Sequence, residues 1–579
     1  MGKNLDNYVF WATAAAIITL GVYFGGNNHT ELFPAWIFQL IELSFASLLT
    51  YVGIRKALTL KQSSVRIFNG IVTTISFFVS IDLAYRLIFG SSYVTNGVTL
   101  GFLILLLLIG ISVKLTQSIR SGLHPALTFV LSFAALMLFG AFMLKLPGST
   151  VSGISFLDAL FTSVSAVSVT GLAVLDTNKD FTVFGQVVIL FLIQMGGLGI
   201  LTFSNLFAML FSGGSTFRDQ IVMADFINSE KVGQTQRMLI KVIFFVLIVE
   251  LIGAILIYIS VINTPLSVDK IFFSIFHSIS AFCNAGFSIL SGNLFDPEIR
   301  ENYFMHTIIA LLIIFGGLGF NISLNYTSYA KYYGKKFWQK NILRKEVTIA
   351  PLKIIRINTI IVVRTTIVLL LIGWVAFFIL EYNNTLKDLS LGGKIAVAFF
   401  NSVTPRTAGF NNIDMGLMLT PTVLISILLM WIGASPGSTG GGIKTTTLAV
   451  TMMNLKNQIL GNNHIEIRKR QIPDNAVERA SVIIILSLSA IGIGILTISI
   501  LDPNIDILKI AYECFSAFST VGLSMNLTPL LSDASQCVLI VLMFLGRVSL
   551  LTFLMAIIRQ FAKPRNTRYE YPKEDIFIN

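Results

Sequence analysis

Apolar runs of roughly 20 residues recur from one end of the chain to the other, separated by short polar segments. Wound as a helix, a run of that length matches the hydrocarbon core of a bilayer, about 30 Å thick. Four runs come first, near 8–25, 35–54, 68–90 and 98–115. The pattern then becomes a three-part unit: a long run, a shorter apolar stretch ending in glycine, and a second long run. It occurs four times, near 127–146, 155–171 and 184–211; 239–262, 270–286 and 304–325; 359–381, 394–409 and 422–453; and 479–500, 508–522 and 535–559.

Each short stretch holds about a dozen apolar residues before its glycine, too few to cross a bilayer, and stretches of that length are usually re-entrant or interfacial. Non-helical backbone at membrane depth survives only against protein or a water-filled cavity. Four such stretches at matching positions therefore predict a shared aqueous axis. The expected fold is an all-α membrane protein with four fused helix–pore loop–helix repeats around one pore. That makes eight core spans, preceded by about four extra N-terminal transmembrane helices. The expected division is 1–120 for the extra helices, then repeats at 121–212, 213–330, 331–458 and 459–562, and a cytoplasmic tail at 563–579.

Composition agrees: 54% of residues are hydrophobic, only 12% are charged, and mean hydropathy is +0.80. Soluble domains carry about 25% charged residues. The net charge of +12 would suit nucleic acid, but its placement excludes that partner. Lys and Arg crowd alternate loops (Arg55 to Arg66, Arg218 to Lys241, Lys331 to Arg356, Lys456 to Arg479, Arg559 to Arg568), whereas 29–34 and 296–302 are poor in them. This asymmetry puts both termini in the cytoplasm of a cell (inner) membrane protein. Cys283, Cys514 and Cys537 are too scattered for a disulfide framework or a zinc site. The first run, from about Tyr8, lacks a small-residue cleavage site and is expected to be retained.

The four glycines align as Ser168-Val169-Thr170-Gly171, Cys283-Asn284-Ala285-Gly286, Arg406-Thr407-Ala408-Gly409 and Ser519-Thr520-Val521-Gly522, spaced 115, 123 and 113 residues apart. Upstream, Ser165-Ala166, Ser280-Ala281 and Ser516-Ala517 recur. Stripping water from a potassium ion takes several carbonyl oxygens converging on one axis. That predicts extended loops with inward carbonyls, glycine supplying the unusual dihedrals. A short helix before each loop would aim its negative C-terminal end at the ion. No Asp or Glu stands at the glycines or the two residues before each, which argues against a divalent cation. Thr520-Val521-Gly522 repeats the opening of the potassium-channel filter sequence. Asn284, Thr407 and Thr520 are expected to line this filter or, on the plainer reading, to end their helices. Glycines serving only close helix packing are the plainer reading of the loops themselves.

The third unit's second run is interrupted at 433–445, from Gly433-Ala434-Ser435-Pro436-Gly437 through Ser438-Thr439-Gly440-Gly441-Gly442 to Ile443-Lys444-Thr445. Proline and three consecutive glycines cannot sustain a helix. With apolar sequence on both sides, the break is expected inside the membrane, below the filter, as a gate. A phosphate-binding loop is excluded, because Ile443 precedes Lys444 where that motif needs glycine. Arg547 lies mid-span in the last run, where a charge is costly and marks a pathway. It would either repel cations or pair with the glycine-rich segment's carbonyls. Glu250 is less decisive, and Asp82 with Arg86, one turn apart, reads as scaffold.

On these residues the chain resembles the Trk/Ktr/HKT superfamily of potassium transporters over about 120–560. Gly171, Gly286, Gly409 and Gly522 match its filter glycines, Ser435 to Thr445 the intramembrane gate loop of Ktr membrane subunits, and Arg547 their buried arginine. The resemblance implies potassium as the transported ion, with no organic cofactor in this chain. It also implies a homodimer with one pore per subunit, gated by a cytoplasmic nucleotide-binding regulatory subunit of the RCK type. The four N-terminal runs depart from it, since Ktr subunits start at the first repeat and Trk ones add two spans. The alternative is a Na+-coupled or weakly selective alternating-access carrier, which predicts two inverted halves and fits four same-orientation units poorly. An enzyme would need clustered catalytic groups, and the histidines at 29, 124, 277, 306 and 464 are dispersed.

Overall fold

The computed structural model describes residues 125–199, 235–341, 356–462, 464–468 and 470–561, with scattered helical positions between 43 and 81. The four N-terminal spans, the Asp82/Arg86 pair and the 563–579 tail lie outside the described residues. From 125 onward the same order recurs: long helix, short helix, second helix. The first unit comprises α1 (Pro125–Lys145), α2 (Phe156–Ser168) and α3 (Val183–Leu198). The second comprises α4 (Thr235–Val261), α5 (Lys270–Cys283) and α6 (Tyr303–Leu318), continued by α7 (Phe320–Asn341). In the third, α8 (Ile357–Glu381), α9 (Leu391–Val403) and α10 (Thr420–Trp431) precede α11 (Thr445–Ile459). The fourth runs through α12 (Asp474–Leu501), α13 (Ile507–Ser519) and α14 (Asp533–Val548) to α15 (Leu550–Phe561).

The second helices are not the straight spans that continuous hydropathy suggests. The run near 304–325 stops at Leu318, and its continuation bends by 102° at Gly319. The run near 535–559 stops at Val548 and bends by 84° at Ser549. Three described helices are individually long and apolar enough to cross a bilayer, or up to five spans if each bent pair counts as one. The all-α expectation needs one amendment. Between α11 and α12 a hairpin pairs β1 (Glu466–Ile467) with β2 (Arg470–Gln471), turned by Arg468 at φ 49°.

The short helices, 13 or 14 residues each, hold their length because each begins at a capped end. Ser155 and Asp158 form a reciprocal capping box, and the side chains of Asp269, Ser390 and Asp506 accept from backbone N–H groups in the first turn. Packing against the long helices is then fixed by one hydroxyl in each of the first three units. Ser163, Ser278 and Ser402 donate to the carbonyls of Met137, Glu250 and Leu370, each at 2.6 Å. Three residues further on, Gly140, Gly253 and Gly373 face those same hydroxyls, so the helices approach without an intervening side chain. Cys514 occupies this position in the fourth unit and is buried, which accounts for it as a small packing residue.

A Cβ at Gly253 would fall 2.5 Å from Ser278 Oγ and 2.8 Å from Leu312. Gly253→Val should therefore destabilise the fold by about 1–3 kcal/mol, as overpacking typically does. The check is the thermal aggregation midpoint in detergent; an unchanged midpoint would mean that the helix spacing is set elsewhere.

Candidate functional site

The four short helices end at the four glycine loops, and three of them end identically. Val169, Asn284 and Thr520 adopt the left-handed conformation, with φ of 59°, 61° and 51°. Their N–H groups bond to Ala166, Ala281 and Ala517, while the next N–H reaches back to Ser165, Ser280 and Ser516 at 2.7–2.9 Å. This is the Schellman closure of a helix C-terminus. In the third loop Pro405 takes away a backbone donor, so α9 ends earlier, at Val403. Thr407 still reaches φ 69°, with Ala408 bonded to the Thr404 carbonyl.

Two residues after each left-handed residue, Gly171, Gly286, Gly409 and Gly522 have φ of 94°, 69°, 78° and 92°. The loops are thus not extended, as expected from sequence, but left-handed at every second residue. A strand turns successive peptide planes alternately, whereas a chain that alternates the sign of φ turns them alike. Carbonyls of consecutive residues can then face one way. Among the described residues, no donor bonds the carbonyls of Val169, Thr170, Asn284, Ala285, Thr407, Ala408, Thr520 or Val521. Thr170, Ala285, Ala408 and Val521 are fully buried.

The loops meet in a closed cycle. A Cβ on Gly171 would strike the carbonyl oxygen of Ala285, one on Gly286 that of Ala408, one on Gly409 that of Val521, and one on Gly522 that of Thr170. Each glycine therefore lies against the carbonyl of the residue before the next unit's glycine, and the fourth unit returns to the first. Positive φ and backbone contact together require glycine at these four places.

The serine of the recurring Ser-Ala pair, or Thr404 in the third unit, locks each loop. Ser165 and Ser516 hydroxyls accept the N–H of Gly171 and Gly522 at 3.0 Å. Ser280 donates instead to the Phe287 carbonyl at 2.8 Å, and Thr404 does the same to Phe410. The Asn284 amide, turned so that both ends are satisfied, donates to the Ala281 and Ile313 carbonyls at 3.2 Å and leaves its oxygen towards Thr407. Val169, Asn284 and Thr520 are thus helix C-caps, whereas Thr407 lies three residues beyond the Thr404 cap of α9. Their side chains also meet the glycine-rich segment: a Cβ on Gly440 would strike Thr407 Oγ1, and one on Gly441 would strike Thr520 Oγ1.

That segment, 432–444, separates α10 from α11 and is ordered by hydrogen bonds. Ala434 N–H donates to Gly441 at 3.3 Å, Thr445 N–H to Ala434 at 3.3 Å, and Ser438 Oγ to Ser435 at 2.6 Å. Gly433 packs on the Gly441 backbone, while Gly437 and Gly442 take φ of 69° and 66°. It docks on the second unit: Ser435 N–H donates to Gly317 at 3.0 Å, Phe320 N–H to Gly437 at 2.9 Å, and Thr439 Oγ1 to Phe282 at 3.3 Å. Two cations hold its carbonyls. Lys444 Nζ donates to Gly440 at 2.7 Å, and Arg547 donates to Thr439 with one nitrogen and to Gly196 with the other. Of the two roles open to Arg547, its geometry is that of pairing with the loop's carbonyls.

Two sets of residues escaped the sequence reading. Gly196, Gly316 and Gly546 let the second helices touch the carbonyls of Val167, Phe282 and Phe518, four residues before the loop glycines. Their signal was present, since Gly-Gly-Leu-Gly occurs at both 196–199 and 316–319. The other set is a series of polar side chains on the short helices, taken up below. Glu250, also noted in the sequence, accepts from Gln194 at 3.2 Å behind the second loop.

The TrkH family, described as cation transport protein, matches residues 125–569. Ktr system potassium uptake protein B of Bacillus subtilis is 36% identical over 460 residues, covering 78% of this chain and 96% of that protein. Potassium/sodium uptake protein NtpJ of Enterococcus hirae is 34% identical over 468 residues, covering 80% and 99%. Among solved structures, the potassium transporter TrkH from Vibrio parahaemolyticus has a TM-score of 0.58 at 16% identity, covering 91% of this chain and 98% of that one. At that identity the likeness speaks to fold.

The close approach of the second helices gives a paired expectation. Gly316→Ala and Gly546→Ala should each cost about 1–3 kcal/mol by pushing a helix off a loop. Gly492→Ala, where a Cβ meets nothing within 4 Å, should be neutral or slightly stabilising. Detergent melting midpoints that fail to separate the two classes would overturn the packing account.

Proposed function

The chain belongs to the TrkH family of cation transport proteins, which are multi-pass membrane proteins, and from that premise we propose that it is the ion-translocating subunit of a potassium uptake system in the cell (inner) membrane. The observation that carries this reading is the closed cycle in which Gly171, Gly286, Gly409 and Gly522 each abut the next unit's carbonyl. Four fused repeats surround one pore. Carbonyls from 169–171, 284–286, 407–409 and 520–522 replace the ion's water shell, and the C-terminal ends of α2, α5, α9 and α13 add partial negative charge.

The segment 433–445 lies against Thr407 and Thr520 and closes the path below the filter. Arg547 and Lys444, bonded to its carbonyls, hold it there and place positive charge in the way of a cation. Opening requires that this latch release. The chain works as a homodimer, both termini in the cytoplasm, with a nucleotide-binding regulatory subunit driving the release. A weakly selective or sodium-coupled carrier is the second reading, and the relative named a potassium/sodium uptake protein is what favours it.

Purified protein in liposomes tests both readings through rubidium, potassium, sodium and lithium fluxes. Gly→Ser at Gly286, Gly409 or Gly522 should lower the rubidium-over-sodium ratio by about tenfold, the equivalent of roughly 1.4 kcal/mol; unchanged ratios would overturn the filter. A wild-type protein that prefers neither rubidium nor potassium over sodium would favour the second reading.

Deleting Ser438 to Gly441, or Arg547→Gln, should raise basal rubidium flux several-fold, on the order of the 1–3 kcal/mol left when a buried polar partner is removed. A basal rate equal to wild type in both variants would remove the segment from gating.

A further inference from the structure

Three of the short helices carry a polar side chain that reaches across to the limb leaving the glycine, always to the residue eleven positions on. His277 pairs with Ser288 at 2.9 Å, Asn401 with Asn412 at 2.7 Å, and Glu513 with Ser524. The donors are set by chemistry. His277 Nδ1 lies 2.9 Å from the Phe273 carbonyl, which only accepts, so Nδ1 carries the proton and Nε2 accepts from Ser288. Asn401 donates to the Asn412 carbonyl oxygen. Glu513 accepts from Ser524 and, through its other oxygen, from Thr528 at 3.0 Å. His277 and Glu513 are fully buried, and Asn401 is 3% exposed.

Two of the three limbs are further tied. Ser288 Oγ takes the N–H of Leu290 at 3.0 Å and Ser524 Oγ that of Leu527 at 3.2 Å. The His277 ring also stands 6.2 Å from that of Phe410, the residue after the third glycine, so the second loop's bond abuts the third loop. In the first loop the corresponding pair is Thr162 and Ala173, and no side-chain bond joins them among the described residues.

Resistance to closing around a smaller cation is one way a cycle of carbonyls discriminates in favour of a larger one. The three bonds fix the distance between each short helix and the limb that leaves its glycine. We propose that His277–Ser288, Asn401–Asn412 and Glu513–Ser524 are positioning pairs that set the preference for potassium over sodium by bracing three of the four loops, the first loop being unbraced. This rests on the filter reading above and adds to it the residues that keep the filter from contracting.

Rubidium-over-sodium flux ratios in liposomes test it, with Gly286→Ser as the control that the filter itself is where ions are selected. Ser288→Ala and Ser524→Ala each remove one hydroxyl and should lower the ratio about fivefold, equivalent to about 1 kcal/mol. Ser288→Thr and Ser524→Thr keep the hydroxyl and should restore it. Glu513→Leu with Ser524→Ala should change the ratio no more than Glu513→Leu alone, because the bond to Ser524 is already lost in the single variant. Thr162→Val, at the unbraced loop, should leave the ratio within about twofold of wild type, the spread expected of a substitution that breaks no bond. Alanine variants that keep the wild-type ratio while Gly286→Ser loses it would overturn the brace and leave the filter standing. So would an equal loss in Thr162→Val, which would make the effect one of general packing.

Discussion

The architecture depends on backbone carbonyls that are buried and left without donors. Buried carbonyls are normally paired, and orphaned ones cost free energy. Here the unpaired state is engineered by the helix ends. The Schellman closures use the N–H groups of Val169, Thr170, Asn284, Ala285, Thr520 and Val521, which bond back to their own helices. Their carbonyls then project beyond the helix with nothing to accept from. A left-handed conformation at the β-branched residues Val169, Thr407 and Thr520 costs about 1–3 kcal/mol each. The serine clamps and the glycine-to-carbonyl contacts between units hold the backbone in it. In the proposed filter a cation supplies what the backbone lacks.

Each unit satisfies this demand with different side chains. Loops one and four use serine to accept the glycine N–H, whereas loops two and three use a hydroxyl that donates to the following carbonyl. The third unit substitutes Pro405 and a shorter helix yet arrives at the same left-handed residue. Sequence identity among the loops is therefore low while backbone geometry is nearly common. Several side-chain solutions reach the same placement of the carbonyls.

That economy governs what could be read from sequence. The four short helices, their glycines and the broken third-unit helix were legible because each is a local signal: a capped apolar stretch, a glycine, a proline with a glycine run. The left-handed caps were not, since β-branched residues such as Val169 argue against that conformation, and only the neighbouring units make it tolerable. Continuous apolar sequence across Gly319 and Ser549 concealed two sharp bends. The partners of Arg547 were beyond reach, because Thr439 and Gly196 lie 108 and 351 residues away in the chain. The eleven-residue braces fit neither helical nor strand periodicity, so pattern reading passes over them.

The gate follows from the same geometry. Every second helix stops after it passes its loop: α3 at Leu198, α6 at Leu318, α10 at Trp431 and α14 at Val548. In the second and fourth units one residue makes the break, Gly319 or Ser549, with φ of 90° and 70°, and Gly199, which caps α3, has φ 80°. In the third unit 432–444 fills it. The glycine-rich segment is thus an enlargement of the break seen in the second and fourth units. Its bonds run to Gly316 and Gly317 beside one break, while Arg547 at another ties it to Gly196 near the end of α3. A segment held by its neighbours' breaks cannot move independently of them. On the proposed gating, release would be coupled to rotation about Gly319 and Ser549, and α7 and α15, which continue beyond those residues, are the levers a cytoplasmic partner would use.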